Sequence, residues 1–288
     1  MRWFVPIILI VALVAGGLYF AYVRAHSEPG MQGPVLTVRF LDESFGCAIV
    51  LKSPEGKVVV IDPASRRETD ALVDMLNRER VCEVAVVISD PSREHAIGLV
   101  SLAKAVNITK LIRPELGPST EEWNKLLARA KCEPILETVI ARGDTVMLSK
   151  KIRLKALNPI REQAHGGDDS SLVFRVCLGD KSILFPTNIR IAGEAELIQS
   201  GQNLTSDVLV VGRHGRYGST SLELLSMVRP QICVVAAGHG SNSGSTSVLN
   251  RLSARNTGAA LYQTDKDGII DIVTDGHTIQ VGTGGVRP

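Results

Sequence analysis

The chain has 288 residues, of which 44% are hydrophobic and 22% charged, and its formal net charge is +2. This length and composition provide for one substantial hydrophobic core and require no second folded domain. The sequence pI of about 8.3 lies below the value of about 9 that marks committed nucleic-acid-binding domains, so overall charge does not indicate such a partner.

The first predicted element is a membrane-spanning helix. Residues 3–23 carry no charged side chain, and as a helix they are long enough to cross about 30 Å of hydrocarbon. A cleaved signal peptide is the alternative, although its apolar region is usually about 7 to 15 residues long. We therefore expect an anchor at residues 1–25, a linker at 26–34 and a globular domain at 35–288.

The charges around this span predict its orientation. Arg2 precedes the span, whereas Arg24 on the other side is offset by Glu28. The bias places the N-terminus in the cytoplasm. The expected localisation is a single-pass membrane protein whose globular domain is extracytoplasmic.

Hydrophobic periodicity predicts a domain that is β-rich with interleaved helices. Short runs of β-branched residues predict antiparallel strands at 35–41, 47–52 and 57–61. The remaining predicted strands are 84–88, 152–157, 172–177, 182–185, 208–211 and 232–236, and the predicted helices are 68–77, 94–105, 120–129, 192–198, 221–228 and 247–254. Two β-rich halves with outer helices indicate an α/β (α+β) fold, a four-layer αββα sandwich.

The five cysteines have no C-x-x-C spacing and are interpreted as small buried hydrophobic residues. A disulfide between two of them stays open, because an external domain would be in an oxidising compartment. The cysteines are Cys47, Cys82, Cys132, Cys177 and Cys233.

An acidic and imidazole cluster directly follows the predicted strand 84–88, where residues 89–99 read SDPSREHAIGL. The segment resembles the motif Ser-His-Pro-Asp-Ala-Asp-His-Ile-Gly-Gly in the soluble domain of ComEC-type DNA-uptake competence proteins, which belong to the metallo-β-lactamase superfamily. In that comparison Asp90 stands at the first His, Ser92 at the first Asp, Glu94 at the second Asp and His95 at the final His.

Further landmarks follow in the family's order from about residue 35 to residue 280. Asp62 ends the third predicted strand, and residues 168–175 resemble Asn-Asn-x-Ser-Leu-Val-Leu-Arg. Asn188 stands where the resemblance implies an aspartate shared by two metals, and His214 is the histidine kept from a Pro-His-His-Gly-Ser motif. The resemblance thus implies a metallo-β-lactamase fold with altered metal-ligand positions.

Two-metal phosphoesterases need a dense set of anionic and imidazole ligands. A serine hydroxyl and a neutral amide are poor replacements, so Ser92 and Asn188 argue against a two-metal centre. The remaining candidates have the donor types for one zinc or manganese ion, if any metal binds. These candidates are Asp90, Glu94, His95 and His214.

Structural interpretations compete at each of these positions. Asp90 also suits a strand end beside a proline, and Ser92 with Glu94 suits a helix N-terminus. Arg213 and Arg216 bring positive charge that favours an anion or no ligand. His239, in a Gly/Ser-rich loop, is a candidate substitute ligand.

The leading hypothesis is therefore a membrane-anchored, non-catalytic binding or scaffold module, a pseudoenzyme with a degenerate metal site. The alternative is a phosphodiesterase- or nuclease-like hydrolase with a rearranged one-metal site. A competence role, with a protein or nucleic-acid partner, rests on family resemblance alone, and fold does not fix function. The sequence contains neither the G-x-S-x-G motif of serine hydrolases nor the G-x-x-x-x-G-K motif of phosphate-binding loops. It leaves the oligomeric state open.

Overall fold

The computed structural model describes residues 31, 33, 35–41, 48–63, 66–90, 98–115, 128, 135–161, 167–240 and 243–285. Contacts divide the chain into Met1–Gly33 and Pro34–Pro288. The expected anchor at 1–25 lies outside the described residues. Within the described ranges, no helix is both long and apolar enough to cross a membrane.

The described part of Pro34–Pro288 forms two β-sheets. In chain order the strands are β1 (Leu36–Phe40), β2 (Ile49–Lys52), β3 (Val58–Ile61), β4 (Glu83–Val87), β5 (Asn107–Pro114), β6 (Leu136–Ile140), β7 (Thr145–Met147), β8 (Arg153–Asn158), β9 (Val173–Leu178), β10 (Lys181–Phe185), β11 (Val208–Val210), β12 (Ile232–Val235), β13 (Ala260–Gln263), β14 (Ile269–Thr274) and β15 (Ile279–Gly285). The first sheet has the order β15-β14-β1-β2-β3-β4-β5-β6 and the second β13-β12-β11-β10-β9-β8-β7.

Each sheet joins an antiparallel part to a parallel part. β1, β2 and β3 form the antiparallel meander that the sequence predicts, and β3 to β6 run parallel. In the second sheet β7 to β10 are antiparallel, whereas β10 to β13 run parallel. Parallel strands bring their carboxyl ends to one sheet edge, where α/β proteins place their sites.

Helices cover the outer faces of both sheets. They are α1 (Arg66–Arg78), α2 (Leu99–Ala105), α3 (Ile191–Gln199), α4 (Leu222–Val228), α5 (Thr246–Leu252), α6 (Ala254–Thr257) and α7 (Thr264–Asp267), with 3-10 turns at Asp168–Ser170 and Gly212–Gly215. One apolar cluster lies between the sheets and includes the stacked rings of Phe174 and Phe185, 4.6 Å apart. The other two clusters lie under the helices on each side, which gives four layers, αββα.

The interpretation of the cysteines holds only in part. Cys233 is buried in β12, Cys177 is half-buried, and Cys82 is exposed just before β4, so the prediction that all are buried is wrong for Cys82. These three form no disulfide. Cys47 and Cys132 lie outside the described residues.

Candidate functional site

The candidate site lies where strand ends of the two sheets meet. Ser89 and Asp90 follow β4 of the first sheet, and Asn188 follows β10 of the second. Leu172 donates its backbone N–H to the Ser89 carbonyl at 2.7 Å, so the strand-end segments are hydrogen-bonded across the two sheets. The segment that follows β4 therefore lies against the second sheet at this edge.

Asp62 fixes the backbone that carries Asp90. Its carboxylate accepts hydrogen bonds from the Ser89 backbone N–H at 2.8 Å and the Ser89 hydroxyl at 2.5 Å. Asp62 itself has φ 47°, an uncommon left-handed conformation for a residue with a side chain. A carboxylate at the end of β3 thus determines how the chain leaves β4.

Asp90 is buried, with 4% of its surface accessible, in a polar environment. Its Oδ2 accepts a hydrogen bond from the Asn188 amide at 2.8 Å and one from the Ser171 hydroxyl at 3.3 Å. A buried carboxylate is costly unless hydrogen-bonded, and these donors compensate the cost. The structure therefore brings together the two predicted positions, Asp90 and Asn188, as a hydrogen-bonded pair.

A second carboxylate, Asp168, occupies the neighbouring turn. Its Oδ2 accepts hydrogen bonds from Arg190 Nε, at 2.7 Å, and from Arg213. Burial opposes ionisation of Asp168, but the hydrogen bonds and charges of the two arginines lower its pKa below the ordinary value. Arg213 also donates to the Asn188 carbonyl at 3.1 Å, so its positive charge lies between Asp168 and Asn188.

The turn that carries Arg213 and His214 has an unusual backbone. Both residues are left-handed, with φ 54° and 55°, a conformation that costs on the order of 1 kcal/mol for each residue with a side chain. Three hydrogen bonds hold the turn: Arg213 N–H to the Thr187 carbonyl, His214 Nδ1–H to the Ala236 carbonyl at 2.8 Å, and Ser245 N–H to the Gly215 carbonyl. Such strained turns cluster at functional sites.

The other predicted site residues divide into two groups. Ser92, Glu94 and His95 lie outside the described residues, so their positions relative to Asp90 stay predictions. Arg216 is exposed on the turn after His214, and His239 is exposed after β12. Arg213 is already paired with Asp168, which opposes its predicted role as an anion ligand.

The sequence by itself did not indicate that Ser171, Arg190 or the carboxylate of Asp168 belongs to the site. Asp168 and Ser171 lie in the segment that resembles Asn-Asn-x-Ser-Leu-Val-Leu-Arg, which was the signal available. Arg190 gave no signal, because its contact with Asp168 joins residues 22 positions apart.

The described donors suit a metal ion only in part. His214 donates Nδ1–H to a backbone carbonyl. A histidine that binds metal through Nε2 typically makes such a hydrogen bond with its other ring nitrogen. Asp90 does not fit a metal site, because its Oδ2 accepts a hydrogen bond from the Asn188 amide. A ligand shared by two metal ions would place a negatively charged oxygen at that position instead. Among the residues described, no three His, Cys, Asp or Glu side chains are grouped to hold a metal ion.

Sequence comparison connects the chain with competence proteins. No family model matches it. It is 26% identical over 209 residues to ComE operon protein 3 of Bacillus subtilis, which covers 71% of this chain and 26% of that protein. It is 31% identical over 134 residues to competence protein ComA of Neisseria gonorrhoeae, covering 46% of this chain and 18% of that protein. The chain thus matches about a quarter or less of each of these two proteins.

Comparison with solved structures shows the fold. The metallo-β-lactamase fold protein YhfI from Bacillus subtilis aligns with a TM-score of 0.55 and 10% identity over 82% of this chain and 99% of that chain. Igni18, a metallo hydrolase from Ignicoccus hospitalis, aligns with a TM-score of 0.53 and 10% identity over 82% and 98% of the two chains. The described domain has the metallo-β-lactamase fold, and its sequence resembles the ComEC-type competence proteins of that superfamily.

Proposed function

We propose that this chain is a membrane-anchored, extracytoplasmic binding or scaffold module whose metallo-β-lactamase-like site has lost its two-metal hydrolase chemistry. The observation that carries the proposal is the 2.8 Å hydrogen bond from the Asn188 amide to the buried Asp90 carboxylate. The Asn188 amide carries no charge, but its N–H donates a hydrogen bond that compensates the burial of the Asp90 carboxylate without a cation. Arg213, which Asp168 holds in place, also donates to the Asn188 carbonyl, so its guanidinium lies next to the site and disfavours a cation there.

The competence proteins that resemble this chain favour a role beside a DNA-uptake machinery, through a protein partner. The anchor and its orientation are part of the proposal and rest on residues 1–25 of the sequence. Alkaline phosphatase fused after Pro288 should be active in whole cells, because the enzyme folds only outside the cytoplasm. An inactive fusion would place the domain in the cytoplasm.

The second candidate is a hydrolase with one divalent ion held by Asp90, Glu94, His95 and His214. The bond from His214 Nδ1 to the Ala236 carbonyl favours it, because this bond leaves Nε2 as the acceptor in a neutral ring. Such an ion would supply Lewis-acid chemistry or an activated water. His214 and Asp90 would hold it only if Glu94 and His95 complete the set.

Metal content separates the two candidates. The full-length chain, purified in detergent, is exposed to zinc and manganese, desalted and subjected to elemental analysis. We expect far less than one ion per chain, and the same value for His95→Ala. About one ion per wild-type chain, lost in His95→Ala together with metal-dependent phosphodiesterase activity, would contradict the non-catalytic proposal.

An Asn188→Asp variant tests the role of the amide directly. It places two carboxylates together, which repel each other unless a cation lies between them. We expect a lower melting temperature without metal and a rise on adding manganese, whereas the wild-type melting temperature should not respond. A wild-type rise equal to that of Asn188→Asp would show that the amide does not exclude metal.

A further inference from the structure

A cationic cleft lies at the end of the second sheet opposite the candidate site. Asn188 follows the carboxyl end of β10, whereas the cleft lies at the amino ends of β10, β11 and β12, beside Lys181, Asp207 and Gln231. The cleft has a volume of about 410 Å³ and opens to solvent. It is therefore separate from the site around Asp90.

The charges in this cleft do not cancel. Four cations and two carboxylates line it, which leaves a surplus of two positive charges. Lys181 pairs with Asp207 at 3.1 Å, and Asp180 lies 3.3 Å from His277 at the exposed rim. No described carboxylate pairs with the other cations, so they determine the electrostatic character of the cleft. These cations are Arg153, Arg175 and Arg229.

Two of these arginines are held in place by backbone and hydroxyl oxygens. Arg175 donates to the carbonyls of Asn203 and Thr205 at 3.2 and 3.0 Å, and Arg229 donates to the Thr205 hydroxyl at 3.3 Å. Arg175 Nε is buried and has no hydrogen-bond partner in the described part of the chain. Buried donors are usually paired, and this unpaired N–H adds to the positive potential of the cleft.

The positive charge continues along two neighbouring strands. Lys155 on β8 lies opposite Arg175 on β9, and Arg153 lies opposite Cys177. Leu154, between the two cations of β8, belongs to the core between the sheets, so the cations face outward. Alternate residues on a strand are about 7 Å apart and neighbouring strands about 4.8 Å, which spaces these cations for more than one anionic group.

The chain enters the globular domain at the same end as the cleft. Leu36 at the start of β1 pairs with Thr274 at the end of β14. The turn after Thr274 lies against the turn between β9 and β10, where Asp180 N–H donates to the Gly276 carbonyl at 2.8 Å. Gly179 and Asp180, which form that second turn, also line the cleft.

This position matters because the proposed function includes a membrane anchor before β1. The expected linker at 26–34 has nine residues, which reach at most about 30 Å when fully extended. An anchor at residues 1–25 would thus keep the entry point of the domain, and the cleft beside it, within reach of the bilayer surface. Basic side chains close to a membrane are attracted to anionic lipids.

The lining of the cleft suits a polar headgroup. None of the cleft residues is aromatic, and none is Val, Leu, Ile or Met, so an acyl chain or a ring has no apolar surface to bind. Planar guanidinium groups match the oxygens of phosphate in a two-pronged geometry. Given the anchor of the proposed function, we propose that this cleft binds the phosphate headgroups of anionic phospholipids and so orients the domain on the membrane.

The thiol of Cys177 reports on occupancy of the cleft, because this half-buried residue lines it. The full-length chain is reconstituted into nanodiscs of phosphatidylcholine, alone or in an equimolar mixture with phosphatidylglycerol. An uncharged maleimide labels the thiols, and mass spectrometry of the peptides measures each rate, with exposed Cys82 as the reference. We expect the rate of Cys177 relative to Cys82 to fall about threefold or more with phosphatidylglycerol, since a bound headgroup blocks access to the thiol.

Two double variants identify the charges responsible. In Arg153→Gln/Arg229→Gln, which changes exposed cleft residues, we expect the same relative rate in both kinds of nanodisc. The matched control is Lys57→Gln/Arg78→Gln, which removes the same charge from exposed positions on the first-sheet side and should keep the wild-type protection. Comparing the two lipid compositions within each variant cancels any direct effect of the substitutions on thiol reactivity.

Absence of protection in the wild type, or equal protection in the cleft variant, would overturn the proposal. Equal protection by inorganic phosphate or by polyglutamate in phosphatidylcholine nanodiscs would also overturn it, and would assign the cleft to a free anion or to an acidic protein. Co-purification of the chain with the nanodiscs tests the anchor separately. A chain that does not co-purify contradicts the anchor and this inference with it, whereas one that co-purifies without protection contradicts only the lipid inference.

Discussion

At the scale of single residues, the site is defined by what each side chain donates or accepts. Asn188 and Asp90 were both identified from the sequence as metal-ligand positions in two motifs that resemble those of the family. The sequence also indicated that an amide is a poor metal ligand, a matter of side-chain chemistry alone. It did not show that this amide donates to Asp90, because that bond joins residues 98 positions apart.

Asp168 should make stability depend on pH in the acidic range. Burial opposes ionisation, but hydrogen bonds and charges from Arg190 and Arg213 lower the folded-state pKa. The stabilisation is therefore present above the unfolded pKa of about 3.9 and is lost as pH falls through the lower folded value. Asp168→Asn should cost about 1 kcal/mol or less at pH 7, since the ion pairs are partly exposed.

Urea unfolding of wild type and Asp168→Asn at pH 7 and about pH 3 measures this difference. The gap should narrow at the lower pH, because the stabilisation is lost as pH falls below the unfolded pKa towards the lower folded value. Asp74→Asn, at an exposed position of α1, is the matched control and should show a small, nearly constant difference. A gap for Asp168→Asn that is unchanged at low pH would show that the arginine pairs do not stabilise the fold.

At the scale of elements, hydrophobic periodicity predicted the bounds of several helices. The apolar spacing predicted α1, α3, α4 and α5 to within a few residues of their observed ends. Ser221 and Ser245 accept hydrogen bonds from Leu224 N–H and Val248 N–H at the starts of α4 and α5, so local chemistry defines these ends. The predicted helix at 120–129 lies almost entirely outside the described residues.

Several strands were not predicted from the sequence. These are β5, β6, β7, β13, β14 and β15. β15 contains Gly282, Gly284 and Gly285, and glycine weakens a strand that has no partner to pair with. β14 supplies that partner, with Gly282 opposite Asp271. Strand propensity is decided largely by neighbours in the sheet, which a single sequence window does not contain.

Glu194 joins two of the predicted helices, and its replacement should destabilise the domain. This fully buried α3 residue accepts hydrogen bonds from Thr220 N–H and, at 2.8 Å, from Ser221 N–H at the start of α4. Glu194→Gln replaces one acceptor with an NH₂ group that faces a backbone donor. We expect a loss of about 2 to 3 kcal/mol in the free energy of unfolding.

Glu196→Gln is the matched control, because Glu196 lies on the same helix and is exposed. Its effect should stay within about 0.5 kcal/mol. Denaturant unfolding followed by circular dichroism measures both variants. Equal stability of the two variants would contradict the role assigned to the Glu194 carboxylate.

At the scale of the whole molecule, charge and burial depend on which distant residues the fold assembles. The net charge of +2 gave no indication of an anionic ligand. The fold nevertheless gathers cations from positions 153, 175, 181 and 229 into one cleft. Overall charge averages over the surface, whereas binding depends on local charge.

Cys233 reports on the integrity of the second sheet. Burial raises the pKa of its thiol to about 12, so almost no thiolate exists at pH 8. With a thiol-specific reagent, followed by mass spectrometry of the peptides, we expect rapid labelling of exposed Cys82 and labelling of Cys233 only in denaturant. Native-state labelling of Cys233 at the rate of Cys82 would show that β12 opens without global unfolding.

The sequence alone determined the fold class and the landmark positions of the site, because hydrophobic periodicity and motif order are local properties of the chain. It also determined which donor atoms are present at Asp90, Asn188 and His214. Only the tertiary structure decided that Asn188 donates to Asp90, that Arg213 pairs with Asp168, and that four cations share a cleft. Those contacts depend on the pairing of strands far apart in the chain, since each strand end is positioned by its neighbours in the sheet.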